Sequence, residues 1–218
     1  MPPTTKPPIR IWGRVNSSNV QKVLWLCHEI GLPFERIDAG GAFGRTKDAD
    51  YLAMNPNSTV PTLQEGDFSL WESHAILRYL AAREHAAAWY PTELRARANV
   101  DRWLDWSSLT LAAAITPAFW GLIRQAPPDR KPQAIIDAAN ATSRALAMLE
   151  PHLTRHAYVC GDHPTLADVS LGPNLHRWFA LPFEQVGYQR PSAPAVEAWY
   201  QRLTERPAYR QIVMPALS

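Results

Sequence analysis

The pattern of apolar and polar positions changes character part-way along the chain. Up to about residue 85, short apolar runs that predict strands alternate with segments of helical periodicity. The predicted strands are 9–12, 34–38, 61–64 and 68–70, and the predicted helices are 20–30, 49–54 and 73–85. Gly31 suits the left-handed position after a helix, and Glu65-Gly66-Asp67 is typical of a hairpin turn. The N-terminal part is therefore predicted to be α/β, with a βαβ unit, a short helix and a ββα unit.

Long amphipathic segments replace the strands after about residue 92. They are predicted at 93–125, 132–156, 165–178 and 193–206, and Pro117 is expected to bend or break the first of them. This half is predicted to be an all-α helical bundle. The domains are therefore expected at residues 1–86 and 93–218, with a linker at 87–92.

The bulk composition excludes several classes of protein. The 218 residues are 46% hydrophobic and 19% charged, which suits a globular chain with one large core or two small ones. Net charge is only +2 and the arginines are dispersed, so no nucleic acid is expected as a partner. No run approaches the ~20 apolar residues that span a bilayer, and the N-terminus lacks the apolar core of a secretion signal. A cytoplasmic protein without a membrane partner is expected.

The cysteine content also limits the chemistry. Cys27 and Cys160 offer neither a disulfide framework nor the ligand spacing of a zinc site. Cys27 falls on the apolar face of the first predicted helix, and both thiols are interpreted as small buried hydrophobes. No bound metal is expected.

A polar turn, Ser17-Ser18-Asn19, lies where the first predicted strand gives way to the first helix. A turn of this kind aims hydroxyls and free backbone N–H groups at one point, which suits an anion such as a thiolate. Serine and asparagine are also the preferred helix-capping residues, so a purely structural role fits the same local pattern.

Val60-Pro61 immediately precedes the third predicted strand. Proline lacks an N–H and suits the first position of a strand, and an X–Pro bond adopts the cis form at small cost. A cis bond here would turn the N–H and C=O of Val60 outward, where a peptide ligand pairs with them as an added strand. An ordinary proline at a strand start remains the alternative.

Glu72-Ser73 follows the fourth predicted strand and opens the third helix. First-turn N–H groups and the Ser73 hydroxyl would form a cradle for a carboxylate, while Glu72 would pair with an ammonium group. An α-amino acid head group carries both charges. Capping by Ser73 beside a solvated Glu72 is the alternative.

Thr165 and Asp168 have the spacing of a helix capping box, with Leu166 and Val169 turned inward. This box is interpreted as structural, and Asp168 is expected to hold the fold and take no part in chemistry.

Together these motifs resemble the cytosolic glutathione S-transferase superfamily over nearly the whole chain. The resemblance implies a thioredoxin-like N-terminal domain, a short linker and an all-helical C-terminal domain. Within it, Val60-Pro61 is similar to the family's cis-proline element, Glu72-Ser73 to its γ-glutamyl clamp and the Thr165 to Asp168 box to its C-terminal folding motif. It further implies glutathione as co-substrate, a small electrophilic and hydrophobic second substrate, detoxification as the role, and a homodimer.

The turn Ser17-Ser18-Asn19 indicates which class of the superfamily the chain resembles. Ser17 lies where serine-type members, such as theta, zeta and phi-like enzymes, carry the hydroxyl that activates the thiol. The stretch from Asn16 to Lys22 also resembles bacterial relatives, including nu-type disulfide-bond reductases, in which the asparagine is the closer thiol contact. Ser17 and Asn19 therefore both remain catalytic candidates. A disulfide reductase and a non-catalytic glutathione-binding module remain the alternative functions.

Two regions depart from the family pattern or extend it. Thr59 stands where many members carry a lysine or glutamine that contacts glutathione, so the glycine carboxylate is assigned to Lys47 or Arg45. The glutathione-binding residues are then those of the first three motifs, together with Thr59 and Lys47: Ser17, Thr59, Val60, Pro61, Glu72, Ser73 and Lys47. The electrophile pocket is expected in the helical domain, at Trp106, Phe119 and Trp120.

Overall fold

The computed structural model describes residues 7–218, and these form two compact units that divide between Ala86 and Ala87. Each unit has its own set of buried apolar side chains. The first unit holds every strand in the described part of the chain, and the second is helical. The α/β and all-α division expected from the sequence is therefore confirmed.

The first unit follows the predicted order of elements. They are β1 (Ile9–Trp12), α1 (Ser18–Glu29), β2 (Phe34–Ile37), a 3-10 turn (Gly41–Phe43), α2 (Ala49–Met54), β3 (Thr62–Glu65), β4 (Phe68–Trp71) and α3 (Ser73–Arg83). The sheet order is β2-β1-β3-β4, with β1 parallel to β2 and antiparallel to β3, and β3 antiparallel to β4. The bounds differ from the predicted ones by no more than a turn at either end.

The register of the sheet brings three loops to one edge. Trp12, at the end of β1, is level with Ile37 at the end of β2 and with Thr62 at the start of β3. The segments that follow β1 and β2, and the one that precedes β3, therefore leave the sheet on the same side. α1 packs against α3, and both helices bury apolar faces. The polar turn before α1 is thus held on a rigid support next to Val60-Pro61.

The second unit is a bundle of helices. They are α4 (Leu94–Trp106), a π-helical segment (Ser107–Ala112), α5 (Ala113–Phe119), a second π-helical segment (Trp120–Arg124), a 3-10 turn (Pro127–Asp129), α6 (Pro132–Leu153), α7 (Leu166–Ala180), a 3-10 turn (Phe183–Val186), α8 (Pro194–Thr204) and α9 (Pro207–Ile212). α5 packs on α6, and α4 packs on α7. The sequence pattern predicted the four long segments and missed α9.

Pro117 does not break its helix. Helical dihedral angles continue from Leu94 to Arg124, and Pro117 lies inside α5 between the two π-helical segments. The wider turns of π-helix shift the backbone hydrogen-bond pattern around a proline that has no N–H to donate.

The same helical run is long enough and apolar enough, by length and composition, to cross a membrane. No continuous apolar run marks it in the sequence, because its Leu, Ala and Ile residues are mixed with Ser and Thr. A core helix of a globular unit passes the same test, and Leu104, Leu111 and Ile115 of this run are fully buried in the bundle.

The Thr165 and Asp168 capping box is present as predicted at the start of α7. The Asp168 carboxylate is fully buried and accepts hydrogen bonds from the backbone N–H groups of Val159 (3.1 Å) and Thr165 (2.8 Å). It also accepts one from the indole N–H of Trp199, at 3.0 Å. One side chain thus joins α7, α8 and the turn before α7, which is the structural role that the sequence predicted.

Candidate functional site

A cavity of about 310 Å³ opens at the edge of the sheet where the three loops meet. Four of the residues predicted from the sequence line it together: Ser17, Asn19, Thr59 and Val60. The lining is completed by Arg14, Gly40, Gly41, Thr46 and Ser58. The walls are thus mostly polar, with a single charged side chain, Arg14, among these residues.

Ser17 occupies the N-cap position of α1 but does not cap the helix with its side chain. Its backbone is extended, its carbonyl accepts the first helical hydrogen bond from Gln21 at 2.8 Å, and only 9% of the residue is exposed. Within residues 7–218 its hydroxyl has no hydrogen-bond partner. A hydroxyl that lines a cavity without capping the helix is available to a ligand.

Asn19 contributes a second donor to the same cavity. Its side-chain Oδ1 accepts a hydrogen bond from the Lys22 ammonium at 3.0 Å. The Nδ2 group is then turned away from Lys22, and in the described part of the chain it has no partner. Ser17 and Asn19 therefore present an O–H and an N–H at the positive end of α1, which is the arrangement that an anion requires.

Val60 carries free backbone groups at the cavity wall. The Val60–Pro61 bond is cis, and neither the N–H nor the C=O of Val60 has a partner among residues 7–218. The preceding carbonyl, of Thr59, is held by the Tyr51 hydroxyl at 2.6 Å and by Asn55 Nδ2 at 2.9 Å. This loop is therefore fixed from within while the Val60 backbone remains open to pairing.

Glu72 and Ser73 lie at the start of α3 and do not line this cavity. The residue before them, Trp71, is level with Thr62, which directly follows Val60-Pro61. Glu72 has φ 69° and ψ 114°, a strained combination for a residue with a side chain. Its exposed carboxylate has no partner within residues 7–218, and Ser73 Oγ is likewise unpaired while the residue is 6% exposed. Strain of this kind is concentrated at functional positions.

The assignment of the glycine carboxylate to Lys47 or Arg45 stays a prediction. Lys47 is exposed and does not line the cavity, and the Arg45 guanidinium lies 4.8 Å from the centre of the Trp12 ring. Arg14 lines the cavity instead, with its side chain next to Gly41. Gly41 has φ 59°, a conformation that favours glycine, and a Cβ there would lie 3.1 Å from Cδ and Nε of Arg14, so a larger residue would require the Arg14 side chain to shift.

The structure places the three residues predicted for the electrophile pocket in different surroundings. Trp106 lines a second cavity of about 340 Å³ in the helical unit, together with Arg102, Trp103, Met148 and His152. Phe119 is only 4% exposed and lies under the Arg177 guanidinium at 4.0 Å, whereas Trp120 is 57% exposed. Their assignment to an electrophile pocket stays a prediction.

The chain's own thiols are poorly suited to chemistry. Burial raises the pKa of both Cys27 and Cys160 to about 12, so neither is a thiolate near neutral pH. Within residues 7–218 no group of three His, Cys, Asp or Glu side chains is placed to hold a metal ion. Any thiolate in the site therefore has to come from a substrate.

Replacing Cys160 with alanine is accordingly expected to leave turnover of a thiol substrate within about twofold of wild type, because a thiol held protonated supplies no nucleophile. The native protein should also resist alkylation by iodoacetamide at both cysteines. Loss of most of the activity in Cys160→Ala, with the fold retained by circular dichroism, would contradict this assignment.

Known proteins match this chain over nearly its whole length. The glutathione S-transferase N-terminal domain model matches residues 7–82, and the C-terminal domain model matches residues 132–202. Glutathione S-transferase GstB of Escherichia coli strain K12 is 42% identical over 214 residues, which cover 96% of this chain and 100% of that protein. Probable glutathione S-transferase GSTF2 of Oryza sativa subsp. japonica is 31% identical, covering 94% of this chain and 95% of the relative.

A solved structure gives the same result. The theta class glutathione S-transferase from the citrus canker pathogen Xanthomonas axonopodis pv. citri, with glutathione bound, has a TM-score of 0.90 and 42% identity. The match covers 97% of this chain and 100% of that chain. A thioredoxin-like unit followed by a helical unit, together with these relatives, identifies the chain as a transferase. The chain belongs to the glutathione S-transferase family.

Proposed function

We propose that this transferase binds glutathione in the 310 Å³ cavity and activates its thiol with Ser17 and Asn19. The observation that supports this most strongly is the pair of unused donors, the Ser17 hydroxyl and Asn19 Nδ2, at the N-terminus of α1. The peptide part of glutathione would pair with the Val60 backbone, next to Thr59. The theta class structure was solved with glutathione bound, which supports glutathione as the ligand of this chain too.

Hydrogen bonds from these donors would stabilise the thiolate enough to lower the pKa of the thiol. A thiol with a pKa of about 8.5 is mostly protonated near neutral pH, and each unit of lowering needs about 1.4 kcal/mol of preference for the anion. One hydrogen bond to a charged group contributes about 1.5–3 kcal/mol, and a helix N-terminus adds about 0.3–1 kcal/mol. These donors would therefore lower the thiol pKa by about two units.

The activated thiolate would attack an electrophilic carbon of a small hydrophobic substrate and displace its leaving group. The carbon forms a bond to sulfur, and the leaving group departs with the electron pair of the bond that breaks. Turnover of a chlorodinitrobenzene probe with glutathione tests this step.

Two other functions predict different results. A glutathione-dependent disulfide reductase would reduce a mixed disulfide instead. A non-catalytic module would bind glutathione but catalyse neither reaction.

At the other end of the ligand, Glu72 would pair with the γ-glutamyl ammonium and Ser73 with its carboxylate. Replacing Glu72 with glutamine is expected to raise the KM for glutathione by about tenfold and to change kcat little, because the lost ion pair serves ground state and transition state alike. Steady-state kinetics with varied glutathione check this. Glu205→Gln, at an exposed glutamate that follows α8, is the matched control, and an unchanged KM in Glu72→Gln would exclude the clamp.

The resemblance to cytosolic relatives supports a cytoplasmic homodimer with a role in detoxification. Phe68 and Trp71 on the edge strand β4 are 43% and 38% exposed, and exposed aromatic side chains are enriched at subunit interfaces. Arg78, Arg95 and Arg97 are proposed for the polar rim of that interface. Light scattering is expected to give twice the mass of one chain, and the mass of a monomer would exclude the dimer.

A further inference from the structure

Lys22 is a buried lysine directly behind the proposed thiol site. The residue is 1% exposed and lies among the apolar side chains that α1 buries. A lysine ammonium is rarely found at such depth unless hydrogen-bond partners hold it, because removing it from water costs several kcal/mol. The hydrogen bonds of the Lys22 ammonium group therefore have to offset this desolvation cost.

The contacts of Lys22 connect both ends of the proposed site. Its Nζ lies 3.0 Å from Asn19 Oδ1, one helical turn earlier on α1, and 3.1 Å from Nε2 of His74, on α3. Asn19 lines the glutathione cavity, and His74 directly follows Ser73 of the proposed γ-glutamyl clamp. One ammonium group thus ties the thiol end of the site to the start of α3.

The chemistry of these contacts fixes the orientation of the Asn19 amide. A lysine ammonium only donates hydrogen bonds, so the amide oxygen of Asn19 has to face it and the NH₂ group has to face the other way. His74 can accept the second bond because it stays neutral. Burial, followed by the charges of Lys22 and Arg78, lowers the pKa of His74 to about 2.

We propose that Lys22 is a positioning residue that holds the Asn19 amide with Nδ2 directed at the glutathione sulfur. This inference rests on the proposed function, since it assigns a task to Lys22 only if a thiolate is formed at Ser17 and Asn19. Without Lys22, the Asn19 amide can rotate and present its oxygen, a hydrogen-bond acceptor, to the sulfur. Half of the donor pair is then lost, and the acceptor repels the thiolate.

The test is a comparison of Lys22→Met with wild type, using ultraviolet absorbance to titrate the thiolate of bound glutathione. Methionine keeps the length of the side chain and removes its donors, so the pKa of the bound thiol is expected to rise by about one unit. At pH values below the wild-type pKa of the bound thiol, kcat/KM is expected to fall about tenfold, because less of the glutathione is thiolate. Glutathione affinity, measured by calorimetry at about pH 6, where most of the bound thiol is protonated in both proteins, should change by less than about threefold. Lys131→Met, which replaces an exposed lysine in the helical unit, is the matched control and should leave all three unchanged.

A double-mutant cycle separates positioning from a general effect of charge or packing. In an Asn19→Ala background, Lys22→Met is expected to leave the thiol pKa where Asn19→Ala alone puts it, because there is no amide left to orient. An equal rise in both backgrounds, or no rise in either, overturns the proposal. Arg14 is the charged residue of the cavity lining and is unchanged in every variant, so its effect cancels.

A second variant covers the case in which methionine prevents folding. Lys22→Gln is expected to raise the thiol pKa by about half a unit, because a glutamine amide can accept as well as donate and so does not enforce one orientation of Asn19. A thiol pKa equal to that of wild type in this variant overturns the proposal. If wild-type protein binds glutathione without lowering the thiol pKa, the proposed function itself fails, and that result is distinct from failure of the Lys22 inference.

Discussion

Replacing Ser17 with alanine is expected to lower kcat/KM for glutathione conjugation by about 10- to 100-fold, because a hydrogen bond to a charged sulfur contributes about 1.5–3 kcal/mol. The thiol pKa of bound glutathione should rise by one to about two units in the same variant. Stability should change little, since the Ser17 hydroxyl does not cap α1. This separates loss of activity from loss of fold, which is rarely possible at an N-cap position.

Ser18→Ala is the matched control, because Ser18 is the next residue, also at the start of α1, and does not line the cavity. Its activity should stay within about twofold of wild type. Asn19→Ala, measured beside them, ranks the two donors. Wild-type rates in both Ser17→Ala and Asn19→Ala would show that the reacting sulfur lies elsewhere.

Replacing Asp168 with alanine is expected to destabilise the protein by about 3 kcal/mol or more, because each buried donor left without a partner costs about 1–3 kcal/mol. Three N–H donors, from Val159, Thr165 and Trp199, lose their acceptor at once. Urea unfolding followed by tryptophan fluorescence measures the change. Asp162→Ala, at an exposed turn nearby, should stay within about 0.5 kcal/mol of wild type.

The pH dependence of that difference gives a second check. Burial raises the pKa of Asp168 from 3.8 to about 6, so the folded protein binds this proton more tightly than the unfolded chain does. The contribution of Asp168 to stability therefore increases as the pH falls from about 6 to about 4, and is smallest above that window. The gap between wild type and Asp168→Ala should be larger near the acid end. A destabilisation under about 1 kcal/mol at both ends would contradict the structural role.

Much of the fold could be predicted because local patterns and long-range packing agree. The βαβ and ββα order, the helical second half and the Thr165 to Asp168 box follow from periodicity and capping chemistry. The π-helical turns around Pro117 could not be predicted, because a proline in a helical pattern usually signals a break. Helix α9 was missed because six residues are too few to show a helical period.

The candidate site was predictable only where a local motif marks it. The turn at Ser17 and the Val60-Pro61 pair have recognisable chemistry, and the register of β1 against β3 brings them together. Arg14 lies in no recognisable motif, and it lines the cavity next to Gly41, a residue that follows a different strand. The role of Lys22 is harder still to predict from the sequence, because lysine is usually exposed and its partner His74 lies 52 residues away along the chain.

The central claim is that the N-terminus of α1, through Ser17 and Asn19, holds glutathione as its thiolate. An ultraviolet absorbance titration of glutathione bound to the wild-type protein tests it most directly. The predicted result is a thiol pKa about two units below the ordinary value of about 8.5. Glutathione that is bound, by calorimetry, and yet titrates at its ordinary pKa would contradict the claim.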